Sequence, residues 1–285
     1  MGLLDFFKKR SLPLEWEFTT TGVIWKIFPY ENRFLIGEER NLTTKVVSFF
    51  CLDQKTGQPV WKGMTLTENW WIGIEGACGN TVFLHEYASP DMPEHKKIIA
   101  IDALTGSCRW IEEQLSFVTA HGMSVYGKKN LFEDEYLYEL NIADGSLVRK
   151  IDSARNPVPP DPMPSSHAQP EYPRYAETTA ELPPYWKTLV EQAGVGTNGV
   201  IGLEYLDHQT FVVLSWYERQ SRNPGDMSMR LLLKILGEDG SVRYTDTIEE
   251  NAVAIIPETF CMTGDRLMYI KERTSLRSVN LGTEE

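Results

Sequence analysis

The chain of 285 residues carries 28 basic and 40 acidic side chains, for a net charge of −12, and is 42% hydrophobic and 11% aromatic. The apolar content excludes a disordered chain, and the length suffices for one repeat domain or two ordinary ones. The acidic surplus opposes nucleic acid and anionic membranes, because no basic excess is present to replace phosphate counterions. Cys51, Cys78, Cys108 and Cys261 are widely spaced, with no CxxC pair. They read as free thiols in a reducing compartment and not as a zinc site.

Residues 1–11 form a short amphipathic segment in which Leu3, Leu4, Phe6 and Phe7 precede Lys8-Lys9-Arg10. Its apolar part is too short for a signal peptide, and the charges follow it instead of leading. Phe6 stands where a myristoylation signal wants Ser or Thr. The segment is either a membrane-surface foot or a loosely packed terminus. No stretch approaches the roughly 20 apolar residues of a membrane span. A cytoplasmic location is the expectation.

From Leu12 onward the chain reads as short strands of β-branched and aromatic residues broken by turns. Strands are expected at 22–28, 33–38, 45–52 and 60–64, a four-stranded meander of about 45 residues, the size of one propeller blade. A second unit has strands at 71–77, 81–87, 97–101 and 109–112. A third is compressed, with strands at 117–126, 130–132 and 136–141. The fourth has strands at 200–205, 210–217 and 230–236, and the fifth at 252–256, 267–271 and 276–281. The fifth lacks one strand, and the Trp16 strand at 14–18 supplies it from the other end of the chain.

One phrase organises these units. Asp53-x-x-Thr56-Gly57-x-x-x-Trp61 recurs as Asp102-x-x-Thr105-Gly106-x-x-x-Trp110, 49 residues later. Partial copies follow at Gly145, with Arg149 at the Trp position, and at Gly240, with Tyr244 there. The glycines supply the left-handed position of a tight hairpin turn, and Asp and Thr bond the turn's own amides. The aromatic residue packs between neighbouring blades. The phrase resembles the repeat of quinoprotein-type (PQQ-like) β-propellers, and the whole sequence resembles uncharacterised bacterial families of about this length. That resemblance implies a fold and not an activity. With no adjacent cysteines and room for about five blades, quinone cofactor binding is not carried over, and no cofactor is expected.

The 95 residues between Gly145 and Gly240 hold nine prolines within 156–184. Proline removes the ladder donor of a central strand, so residues 152–196 read as an insertion, with a short helix at 185–193 ended by Gly194. The expectation is therefore an all-β domain over residues 12–285. It would be a propeller of about five four-stranded blades whose last blade is closed by the N-terminal strand. A six-bladed ring that takes a blade from the insertion is the alternative.

Sites are less legible. Trp70 and Trp71 point to opposite faces, so one can line a pocket while the other packs. His121 falls on an inner strand with no second ligand at metal or dyad spacing. His85 and Glu86 point to opposite faces. The acidic doublets at Glu38, Glu112, Glu133 and Glu249 sit near strand ends and read as a solvated rim. Tyr172, Tyr175, Tyr185 and Trp186 in the insertion would cover a face or meet a partner. No catalytic residue and no metal ligand is assigned. The expected function is a non-catalytic interaction or scaffold protein with a protein partner. The alternative is a small-ligand or carbohydrate binder, or a hydrolase, at the channel mouth near Trp70, Trp71 and His121.

Overall fold

The computed structural model describes residues 11–31, 33–89, 92–129, 136–152, 170–195, 200–220 and 228–282. The expected membrane foot at 1–10, the strand at 130–132, the acidic run from Glu133 and most of the proline-rich stretch lie outside them. No helix among the described residues is long and apolar enough to cross a membrane.

Among the described residues the chain is all-β but for one helix and a 3₁₀ turn. Strand β1 (Leu14–Thr19) comes first and belongs to the last sheet. The first sheet is the meander β2 (Val23–Tyr30), β3 (Phe34–Asn41), β4 (Val46–Asp53) and β5 (Pro59–Met64). The second is β6 (Ile72–Cys78), β7 (Thr81–Ser89), β8 (Met92–Asp102) and β9 (Cys108–Glu112). The third is β10 (Ser116–His121), β11 (Ser124–Lys128), β12 (Tyr136–Asn141) and β13 (Leu147–Asp152). After β14 (Arg174–Ala176) and α1 (Pro184–Gln192), the fourth sheet continues with β15 (Val200–His208), β16 (Phe211–Arg219), β17 (Met229–Gly237) and β18 (Val242–Ala252). The fifth is β19 (Phe260–Thr263), β20 (Arg266–Lys271) and β21 (Ser275–Asn280), and β1 pairs antiparallel on β21 with Trp16 opposite Ser278. All pairings within these sheets are antiparallel. By contact density the chain divides into two compact units, Thr20–Gln169 with the first three sheets, and Met1–Thr19 with Pro170–Glu285.

Alternation sets the packing. On the second sheet Val82, Leu84, Ile99 and Ile101 join Ile36, Phe49 and Cys51 of the first sheet in one core. The intervening Phe83, Ile98 and Ala100 join Val125, Leu140 and Ile142 of the third sheet in another. A middle sheet is thus apolar on both faces, and its period of two divides the side chains between neighbours. The outer strands β5 and β13 are mostly exposed and carry Lys62, Arg149 and Lys150, the charge that protects an open edge.

The repeated phrase is a staple between sheets. Asp53 Oδ1 accepts from the amides of Lys55 and Thr56 at 3.0 Å, and Asp102 Oδ1 from those of Leu104 and Thr105 at 2.9 and 3.0 Å. The amides of Gly57 and Gly106 close the turns on the carbonyls of Asp53 and Asp102. The third turn is built alike, with Gly145 bonded to Asn141 O and Asn141 Oδ1 accepting from Ala143 at 2.9 Å. Each indole then reaches the next sheet's turn. Trp61 Nε1 donates to Ala103 O at 2.8 Å and Trp110 Nε1 to Ile142 O at 2.9 Å. The rings lie on Gly106 and Gly145, where a Cβ would come within 2.8 and 2.7 Å of them.

Four expectations change. The strand at 117–126 is two, β10 and β11, turned at Gly122 with φ 59°. Of the strand expected at 252–256, Ala252 ends β18 and the rest is a loop, because Pro257 has no amide to pair and Tyr217 already takes that of Ile256; β19 starts at Phe260 instead. At the fourth turn Gly240 bonds Gly237, one residue tighter than the others. Tyr244, at the cross-strand place of the tryptophans, meets the Tyr269 hydroxyl at 2.7 Å and not a turn carbonyl. The described part of the insertion, 170–195, forms no sheet of its own. It adds β14 to the edge of the fourth sheet and packs α1 on it through Trp186, Leu189 and Val190.

The staple gives a test. Gly145→Ala puts a methyl against Trp110 at a backbone φ of 72°. It should cost more than the roughly 1–2 kcal/mol of left-handed strain alone. Gly122→Ala has φ 59° and nothing within 4 Å of its Cβ, so it should cost only that strain. Trp110→Ala should cost about 3–5 kcal/mol, and the Trp110→Ala/Gly145→Ala double variant less than the sum in urea melts. Additivity would show that ring and turn do not work together.

Candidate functional site

A candidate site lies on the second sheet, where two bulges gather three ligand-type side chains. Along β6 and β7, Ile74 pairs Leu84 and Gly76 pairs Phe83, so Glu75 is an extra residue between them. Along β7 and β8, Leu84 pairs Ile99 and Glu86 pairs Lys96, so two residues face His85, and Lys97 takes a φ of 63°. Without that extra residue the Leu84–Ile99 register would put Lys96 opposite Tyr87. With it, His95 sits there, on the face that His85 and Tyr87 share by the period of two.

The two imidazoles stack with centroids 3.5 Å apart and planes 8° from parallel. Both turn Nδ1 toward Glu75 Oε1, His95 at 2.6 Å and His85 at 3.2 Å. Tyr87 meets both rings edge-on, and Trp71 meets Tyr87. His85 is 3% exposed, its Nδ1 faces Glu75 without hydrogen-bond geometry and its Nε2 has no partner, whereas the His95 side chain is 34% exposed. Burial raises the Glu75 carboxyl, but contact with His85 and His95 outweighs it and holds the group below the usual carboxylate range. Gly73 lies opposite His85, and a Cβ there would come within 3.0 Å of the ring.

Beside the cluster, a buried ion pair joins the first two sheets. Arg40 Nε meets Glu38 Oε1 at 2.6 Å, and its other nitrogens donate to Trp70 O at 3.1 Å and Ile72 O at 2.8 Å. The Trp70 ring lies under both Arg40 and Lys45. Glu68 accepts the amides of Trp70 and Trp71, which hold its carboxyl low.

The structure brings Trp71 to His85 and His95 through Tyr87. His121 stands on the third sheet against Tyr126. In the insertion Tyr172, Tyr175 and Tyr185 are exposed, while Trp186 is buried against Tyr205, so Trp186 serves packing and not contact. Sequence reasoning missed Glu75 and His95, because hairpin spacing alone sends His95 to the wrong face. Gly73 and Gly76 around Glu75, in an otherwise good strand, were the available signal of a bulge.

Elsewhere the buried carboxylates are locked by donors. Glu204 accepts from Ser215, from Thr259 and from the amide of Glu258. Asp246 accepts from Tyr269, Lys271 and Arg277 at 2.6 Å each. Burial raises Asp246, but these bonds outweigh it and leave the group lowered. Burial does raise Asp207 on β15 and Glu249 on β18. Those strands are three steps apart, about 14 Å, wider than the roughly 6.5–9.5 Å of an inverting glycosidase pair.

Residues 30–110 match a family described as Domain of unknown function (DUF4905). No curated protein matches the chain. Among solved structures, the C-terminal WD40 domain of Sif2 is 8% identical, with 96% of this chain and 99% of that one covered and a TM-score of 0.37. A member of the DUF4221 family from Bacteroides vulgatus is 7% identical over 95% and 94% of the two chains, with a TM-score of 0.33. A eukaryotic initiation factor is 10% identical over 78% of this chain, with a TM-score of 0.32, and the chain spans 54% of its length.

Two tests follow from the buried charges. Arg40→Ala strands Glu38 and should cost about 3–5 kcal/mol, whereas Glu38→Gln/Arg40→Met should cost less than Arg40→Ala alone. Asp246 is lowered in the folded state. Its contribution is therefore present above the unfolded value of about 3.9 and lost as pH falls through the folded one. Asp246→Asn should melt below the parent at pH 7, with the gap closing below about pH 4; a gap independent of pH would rule out the ion network as its source.

Proposed function

We propose that the chain is a non-catalytic interaction protein of the cytoplasm, a blade-built scaffold that grips a protein partner. One observation carries this reading, the loop between β18 and β19. The Tyr217 hydroxyl accepts from the amide of Ile256 and donates to its carbonyl, both at 3.0 Å, so the loop is pinned to the fourth sheet. Yet Val253 is 77% and Ile256 59% exposed, and Ile255 is also exposed. Tyr175 from the insertion lies over Gly202 together with Ile255, which extends the apolar surface. Apolar side chains held out on an ordered backbone suit a docking surface, because little ordering entropy remains to be lost on binding.

The locked carboxylates weigh against a hydrolase. The repeat phrase supports placing the chain among quinoprotein-type propellers of bacterial origin, with the phrase used for stapling and not for a cofactor. A small-ligand site has one observation in its favour, the half-open cluster of Trp71, Tyr87 and His95.

In affinity capture from the native host, Val253→Asp/Ile256→Asp should lose the partner that the parent chain retains. Its melting should stay within the ±0.5 kcal/mol usual for surface changes. Recovery of the same proteins by both chains would sink the reading.

A further inference from the structure

We propose that Glu75, His85 and His95 form a binding site for a divalent first-row transition-metal ion, with zinc the natural occupant. Their ligand atoms all lie within 4.8 Å of one another. Two imidazole nitrogens and one carboxylate suit zinc and its neighbours, whereas calcium and magnesium want oxygen alone.

Three observations point to an ion and not to a simple hydrogen-bonded cluster. First, His85 is buried with its Nε2 unpartnered and its Nδ1 facing the Glu75 carboxylate without hydrogen-bond geometry, and a buried polar atom without a partner is uncommon in folded proteins. Second, both Nδ1 atoms face one carboxylate oxygen, and a modest tilt of the exposed His95 ring out of its stack aims both in-plane lone pairs at one ion. Donors about 2.0–2.1 Å from a tetrahedral ion stand roughly 3.3 Å apart. His85 already has that separation from Glu75 at 3.2 Å, and His95 at 2.6 Å needs to withdraw by about 0.7 Å. Third, the backbone is bent for it. The left-handed Lys97 is required to put His95 on the face of His85, the bulge at Glu75 lies beside them on the neighbouring strand, and Gly73 leaves the room that the His85 ring occupies. Bulges that re-aim side chains recur beside functional sites.

Three protein ligands leave a fourth position for water or an incoming group. It opens on the His95 side, under Trp71 and Tyr87, since His85 is sealed from solvent.

The test uses the full chain, stripped with a chelator and titrated with zinc chloride against a chromophoric chelator. One zinc per chain is expected. His95→Gln, at the half-exposed ligand, and Glu75→Gln should each weaken binding by about 100-fold or more. His121→Ala should bind as the parent does. His85→Ala tests the buried ligand, and circular dichroism reports whether that variant folds; the His95 and Glu75 variants decide the matter if it does not. Zinc should raise the melting temperature of the parent and not that of His95→Gln. With cobalt(II) as the probe, the d–d spectrum should show nitrogen and oxygen ligands without a thiolate charge-transfer band. The proposal falls if the parent takes no zinc, if His95→Gln and Glu75→Gln bind as the parent does, or if cobalt reports thiolate.

Discussion

The contact on which the rest depends is an indole lying flat on a left-handed glycine. A four-stranded meander of this size cannot bury both its faces by itself, so each sheet is stable only against a neighbour. Trp61 and Trp110 make that association directional. The ring covers a glycine whose Cβ would clash with it, and its N–H takes the carbonyl of the residue just after the aspartate or asparagine that opens the turn. Hydrophobic cores on either face then follow, because the staple fixes which faces meet. Where the tryptophan is absent, polar chemistry takes over. Arg149 pairs with Glu139 within the third sheet, and Tyr244 joins Tyr269 and Asp246 between the fourth and fifth.

The blades were legible because their signals are local. Period-two alternation, turn glycines and the Asp-x-x-Thr-Gly phrase each depend on residues close in sequence. Even the pairing of the Trp16 strand with β21 followed from counting strands. The errors came where a local signal was outweighed. Val253, Ile255 and Ile256 look like a strand, but Pro257 and the Tyr217 hydroxyl take them out of the ladder. Gly122 was overlooked as a turn because the residues around it are good strand formers.

The histidine cluster was illegible for a different reason. Its members are separated by ten residues each, and which face His95 takes depends on a single left-handed residue, Lys97, within β8. Lysine carries no side-chain signal for that conformation. Register is a property of two strands together, and a shift of one residue exchanges the faces of everything beyond it. Charge pairing explains part of the choice, since Lys97 turned outward reaches Glu86 and Glu113, each at 3.0 Å. The bulge is thus held from outside by ion pairs while it serves the inside.

The pairing of β1 with β21 has a consequence for biosynthesis. Leu14 ends opposite Val279, so the ribosome makes the first partner about 265 residues before the second. At roughly 5–20 residues per second, β1 waits between about 13 and 50 seconds for its place. Throughout that interval its edge is an unpaired template, exposed to other nascent chains and to proteases. The polar rhythm of β1, with Glu15 and Glu17 alternating with Trp16 and Phe18, keeps the waiting strand charged on one side. The same two glutamates later meet Arg266 and Arg277 of the fifth sheet, so the charges that keep the nascent strand apart become the clasp of the finished molecule.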